Sequence, residues 1–265
     1  MNFLTVQGQR IEYELIGGAD ANEPMLVFLH EGLGSVAMWK DFPSRCAKAA
    51  GCGALVYSRY GYGNSDALKE PRGVDFMHNE ALKTLPELLE KLDIKQPILF
   101  GHSDGGSIAL IHAGSGRVVR GLILLAPHVM VEDMSLRSIE AAKRAYETTG
   151  LRARLARYHS DPDSAFRGWN DIWLHPDFRG WNIEEYLPRI TCPILAIQGE
   201  EDEYGTMEQI ERITRTAVRV EALKLKHCGH SPHRDQPEGV IEAVNSVRAP
   251  RNASARPKPM KRGEP

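Results

Sequence analysis

The chain has 265 residues, 42% of them hydrophobic, and a formal net charge of −2. That length suits one large domain, or one domain with an insertion, and the near-neutral charge gives no ground for a nucleic-acid or anionic-membrane partner. No apolar run reaches the roughly 18 residues of a membrane span, and Met1–Arg10 lacks the charged start and apolar core of a secretion signal, so a cytoplasmic protein is expected.

In chain order, strands are expected over 10–16 and 25–30, separated by the turn-forming residues 17–22. A helix follows over 36–50, then a strand over 54–57. Leucines at 82, 85, 88, 89 and 92 have helical spacing, which predicts a helix over 78–93 with Pro86 as a kink or boundary. Strands recur over 97–101, 121–126, 193–198 and 219–225, and helices over 104–114, 206–216 and 236–248. This alternation predicts an α/β fold: a mostly parallel central sheet with helices on both faces. Residues 127–190 break the pattern and contain no convincing strand. They hold Trp169, Trp173 and Trp181, and are expected to form a helical cap inserted into a core domain of residues 1–126 and 191–248. His128 to Arg189 carries nine Lys/Arg and ten Asp/Glu, so bulk charge would not draw in a strongly anionic substrate. Residues 249–265, rich in proline and basic residues, are expected to be a disordered tail.

The four cysteines are Cys46, Cys52, Cys192 and Cys228. None forms a C-x-x-C pair, so no metal site is expected, and a reducing compartment implies free thiols.

Gly101-His102-Ser103-Asp104-Gly105 follows the apolar run Pro97–Phe100. A G-x-S-x-G sequence between a strand and a helix is a nucleophile elbow. The tight turn exposes the serine Oγ, and glycines two residues away avoid a Cβ clash. The helix start beneath Ser103 favours developing negative charge.

A serine nucleophile needs a base, and the base needs an orienting carboxylate. In this arrangement the acid follows a late strand and the histidine comes after it. Gly199-Glu200-Glu201-Asp202-Glu203 follows the strand over 193–198. Asp202 is chosen as the acid for its place three residues after the glycine, with Glu201 the alternative. The last strand is followed by a loop with His227, His230 and His233. His230 is chosen as the base because Gly229 lets a tight loop present its ring. His227 suits packing, and His233 suits the pocket rim or a helix cap. The three histidines lack the spacing of a metal site.

A tetrahedral intermediate needs two backbone N–H donors. Asp104 supplies one as the residue after the nucleophile, and Gly32, in the loop His30–Ser35, is assigned the other. Trp169 and Trp173 either form the cap's own core or line an apolar pocket with Glu31, Arg59 and His233.

Together these residues resemble the α/β-hydrolase superfamily, in particular its capped esterases and carbon–carbon bond hydrolases of the meta-cleavage-product type. The resemblance spans roughly residues 8 to 248 and rests on His30–Ser35, Gly61–Ser65, Gly101–Gly106 and the loops of Asp202 and His230. It implies a Ser103–His230–Asp202 triad and no cofactor. Two positions depart from the family pattern. Glu31 follows His30 where glycine is usual, and Ser58 stands where aspartate is usual. Glu31 is expected either to turn from the oxyanion hole and pair with Arg59, or to face solvent with it.

The expected activity is hydrolysis of a small-molecule carboxylic ester or thioester through an acyl-enzyme on Ser103. The alternatives are a carbon–carbon bond hydrolase, which needs a cation for the substrate carboxylate, and a ligand-binding protein of the same fold. The expected partner is a small molecule. The sequence leaves monomer and homo-oligomer both open.

Overall fold

The computed structural model describes residues 1–17 and 23–248, with only the backbone for 245–248. Eight strands form one sheet in the order β1-β2-β4-β3-β5-β6-β7-β8. They are β1 (Asn2–Val6), β2 (Gln9–Ile16), β3 (Met25–Leu29), β4 (Gly53–Tyr57), β5 (Pro97–His102), β6 (Gly121–Leu125), β7 (Ile194–Gly199) and β8 (Val220–Leu225). The pairs β1–β2 and β2–β4 are antiparallel, and all the others are parallel. The fold is the mostly parallel α/β sheet expected from the alternating pattern.

β1 was not legible in the sequence. Of its five residues only Val6 is buried, so no apolar alternation marks it. It is held as a hairpin with β2 through the turn Gln7–Gly8, both residues having positive φ.

The central strands are buried on both faces, and their side chains alternate between two cores. Val27, Leu29, Leu55, Tyr57, Leu99, Leu122 and Leu124 point to one core, while Leu26, Phe28, Val56, Ile98, Phe100, Ile123 and Leu125 point to the other. Helices α1 (Phe42–Ala50) and α10 (Pro237–Arg248) cover the second face. The first is covered by α2 (Phe76–Asn79), α3 (Leu85–Lys91), α4 (Asp104–Gly114) and α8 (Glu208–Thr216). The short helix α9 (Pro232–Asp235) follows β8.

Two expected helices are subdivided. Residues 36–50 split into a 3-10 turn, Val36–Trp39, and α1, because Lys40 takes φ 54° and Trp39 turns into the second core. Between α2 and α3, Glu80–Thr84 is π-helical. Pro86 follows directly and has no N–H to donate to the Leu82 carbonyl, which accounts for the widened turn.

Between β6 and β7 the chain forms α5 (Asp133–Thr148), α6 (Leu151–Leu155), α7 (Pro162–Trp173) and two 3-10 turns, Pro176–Gly180 and Glu184–Arg189. Phe166, Trp169, Ile172, Trp173, Phe178 and Trp181 from this stretch join the first core. The expected tail, 249–265, lies outside the described residues. Among the described residues no helix is long and apolar enough to cross a membrane.

Candidate active site

Ser103 sits between β5, a central strand, and α4. Its backbone is at φ 53°, ψ −118°, a conformation costly for a residue with a Cβ. The turn is held by the Ser103 N–H donating to the Leu125 carbonyl at 2.9 Å, and by Gly106 N–H donating to the Ser103 carbonyl at 2.8 Å. The flanking glycines permit close approach. A Cβ on Gly101 would overlap the Gly105 carbonyl, and one on Gly105 would overlap the Leu29 carbonyl at the end of β3. The helix therefore starts directly against the strand that leads into the His30–Ser35 loop. Asp104 is the first residue of α4, so its N–H has no partner within the helix.

Asp202, three residues beyond the end of β7, is buried. Its Oδ1 and Oδ2 lie 2.8 and 3.0 Å from His230 Nδ1. It also accepts from Tyr204 N–H (2.8 Å), Gly205 N–H (3.2 Å) and Gln198 Nε2 (2.8 Å). Burial alone would raise this carboxyl, but the hydrogen bond and charge of His230 and the Tyr204 N–H hold it below the usual range. The competing residues pair with each other instead. His227 Nδ1 meets Glu201 Oε1 at 3.1 Å, with both side chains mostly in solvent. Glu203 Oε2 accepts the His230 N–H at 3.3 Å.

The residue before Ser103 meets the loop of this pair. His102 Nε2 donates to the His230 carbonyl at 2.7 Å, and the two rings lie 5.2 Å apart. Among the described residues no hydrogen bond joins Ser103 Oγ to His230. Tyr204 and His128 flank the His230 ring at 4.8 and 5.8 Å. His128 is buried and its pKa falls to about 3, by burial first and then by the charge of His230.

Trp169 of α7 lies against the Gly32 loop, and Trp173 meets the elbow. A Cβ on Gly32 would overlap the Trp169 indole. Four residues on, Trp173 Nε1 donates to Asp104 Oδ1 at 3.1 Å, and its ring lies 5.2 Å from His128. One turn of helix therefore sets an indole against each of the two loops assigned to the oxyanion. Both rings are also part of the core, so packing and lining coincide.

The expected Glu31–Arg59 ion pair does not form. Arg59, only 2% exposed, donates through Nη2 to the Glu31 backbone carbonyl at 2.8 Å and lies 3.8 Å from Asp104 Oδ2. Asp104 supplies the buried countercharge Arg59 needs; burial raises the Asp104 carboxyl while Arg59 opposes the shift. Arg59 Nε and Nη1 and Asp104 Oδ2 have no hydrogen-bond partner. The Glu31 carboxylate turns instead to His102 Nδ1 (3.5 Å) and Arg234 Nη2 (3.3 Å).

His233 is not at the pocket rim. It is buried in the second core, its ring 4.8 Å from Trp39 and 5.5 Å from Phe42. The helix start at Pro232 turns it inward under α1, where burial lowers its pKa to about 2.

His102, His128, Tyr204 and Arg234 were missed in the sequence. Only His102 carried a signal, as the x beside the nucleophile. The others reach the site through tertiary packing.

A family model described as the alpha/beta hydrolase family matches residues 26–243. The chain belongs to the α/β hydrolase family. It is 26% identical to a proline iminopeptidase of Lactobacillus delbrueckii subsp. bulgaricus over 203 residues, 66% of this chain and 68% of the relative. Among solved structures, an esterase from Exiguobacterium antarcticum superposes with a TM-score of 0.75 at 21% identity, covering 93% of this chain and 99% of that one. An α/β hydrolase from a Medee basin deep-sea metagenome library also gives 0.75, at 22% identity, with coverage of 93% and 96%.

Proposed function

We propose that the protein is a serine hydrolase that cleaves a small-molecule carboxylic ester or thioester through an acyl-enzyme on Ser103. The observation that carries this reading is the strained Ser103 backbone at the end of a central strand, beside a buried Asp202–His230 pair. Backbone strain of this kind clusters at functional sites, which weighs against a binding protein without turnover.

In this mechanism Ser103 Oγ attacks the carbonyl carbon while His230 Nε2 takes the hydroxyl proton. His230 Nδ1–H keeps donating to Asp202, which sets the tautomer and stabilises the imidazolium. The N–H groups of Asp104 and Gly32 receive the oxyanion. His230 returns its proton to the leaving oxygen or sulfur, so alcohol or thiol departs and the acyl group remains on Ser103. Water then attacks with His230 again as base, releasing the acid and restoring Ser103. The Ser103–His230 hydrogen bond forms as substrate seats. Trp169 and Trp173 supply an apolar wall for the acyl group. No step requires a cofactor.

The carbon–carbon bond reading has one observation in its favour. Arg59 Nε and Nη1 are buried without partners beside Asp104, where a substrate carboxylate would meet donors.

The test is hydrolysis of p-nitrophenyl esters of increasing acyl length by wild type and Ser103→Ala. Ester turnover that falls by about 10⁴-fold or more in the variant supports the reading. Folded wild type that hydrolyses no ester of the series, yet cleaves a dienoic keto acid, would replace it with the carbon–carbon reading.

A further inference from the structure

The Glu31 side chain has no role in the mechanism above, and its position is unusual. It stands next to Gly32 in the loop after β3. A carboxylate there opposes the negative charge that the neighbouring amide receives, unless positive groups neutralise it. The structure sets two basic side chains against it, from two different directions.

The first is His102, fully buried and directly before Ser103. Its Nε2 lies 2.7 Å from the His230 carbonyl, and a carbonyl only accepts, so Nε2 carries a proton. Its Nδ1 faces Glu31 Oε2 at 3.5 Å. The ring therefore stands between the Glu31 carboxylate and the His230 carbonyl. The other groups around this ring are His230 and His233, with centroids at 5.2 and 5.0 Å, and Trp39 at 6.4 Å. None of them offers a second carboxylate. The second is Arg234, in α9 directly after the loop that carries His230, 3.3 Å from Glu31 Oε1. Burial would raise the Glu31 carboxyl, but the contacts with His102 and Arg234 hold it well below the usual range, so it is anionic.

We propose that Glu31 is a positioning residue whose carboxylate, through His102 and Arg234, latches the Gly32 loop to the His230 loop with Ser103 between them. Each link falls on the immediate neighbour of a residue assigned to the reaction or on that residue's own loop: Glu31 beside Gly32, His102 beside Ser103, and the His230 carbonyl itself. The chain of contacts therefore sets the distance between oxyanion donor, nucleophile and base. It does so without touching substrate, so its loss slows the chemical step and leaves binding in place. The His102 contact is buried, whereas solvent screens the half-exposed Arg234. Glu31 where the family has glycine is then a gain of fixation between loops.

The inference rests on Ser103 being the nucleophile, and one experiment separates the two. Wild type, Ser103→Ala, Glu31→Gln and Arg234→Ala are each labelled with a fluorophosphonate, and the rate of phosphonylation per titratable serine is recorded with kcat and KM for the best p-nitrophenyl ester. Normalising to titratable serine discounts unfolded protein. Glu31→Gln keeps the side-chain volume and removes the charge. It is expected to lower both kcat and the labelling rate by about tenfold with KM within twofold, as for a small misplacement of reacting groups. Arg234→Ala, at a half-exposed site, is expected to lower them by about threefold. If wild type labels at Ser103 and Glu31→Gln stays within twofold in both rates, the latch is wrong. A rise in KM at constant kcat would also overturn it, making Glu31 a substrate contact. If wild type is not labelled at Ser103, the triad reading fails and the latch falls with it.

Discussion

Replacing His233 with phenylalanine should make the protein more resistant to acid. The native ring is buried between Trp39 and Phe42, its Nδ1 has no hydrogen-bond partner, and its pKa is lowered to about 2. In the unfolded chain a histidine titrates near 6.5. Below that value the unfolded state binds a proton that the folded state refuses, so stability falls with falling pH. Between about pH 7.5 and about pH 5 this linkage amounts to about 2 kcal/mol for one such group. A phenylalanine fills the same aromatic slot and binds no proton. The assay is urea unfolding of wild type and His233→Phe at both pH values. The stability lost by wild type should exceed that lost by the variant by about 2 kcal/mol. Equal losses in the two proteins would refute the assignment of a buried neutral ring, as would a variant that unfolds at neutral pH.

Trp169→Leu removes the indole that closes over Gly32. The kcat/KM ratio of octanoyl to acetyl p-nitrophenyl esters should rise by about tenfold, and an unchanged ratio would place the acyl chain elsewhere. Gly105→Ala drives a methyl group into the Leu29 carbonyl and within 2.8 Å of the His30 carbonyl. Because that neighbour is backbone, it cannot swing aside, and a loss of about 1–3 kcal/mol in stability is expected. Ester turnover should fall with it, since the displaced strand end carries the Gly32 loop; differential scanning calorimetry and the esterase assay check the two effects.

The core of the sheet was legible because its strands are short apolar runs bounded by turn residues, and β3 to β7 follow those runs closely. The elbow was legible for a different reason: a serine with positive φ, pressed between a strand and a helix, leaves room only for glycines two residues away, and that requirement is written at Gly101 and Gly105. β1 escaped because an exposed edge hairpin needs no apolar period. Asp202 and His230 could be proposed from their places after β7 and β8, but Glu201 and His227 lie close by in the same loops. Only the folded chain separates the two acid–histidine pairs, by burying one and leaving the other in solvent. The direction of each charged side chain was likewise a tertiary decision. Local sequence sets the backbone turn at His30-Glu31-Gly32, but where a carboxylate points depends on which basic side chains arrive from distant segments of the chain. Arg59 had Asp104 as its buried counterion, and Glu31 was left to His102 and Arg234, because burial forces each charge to the partner within reach.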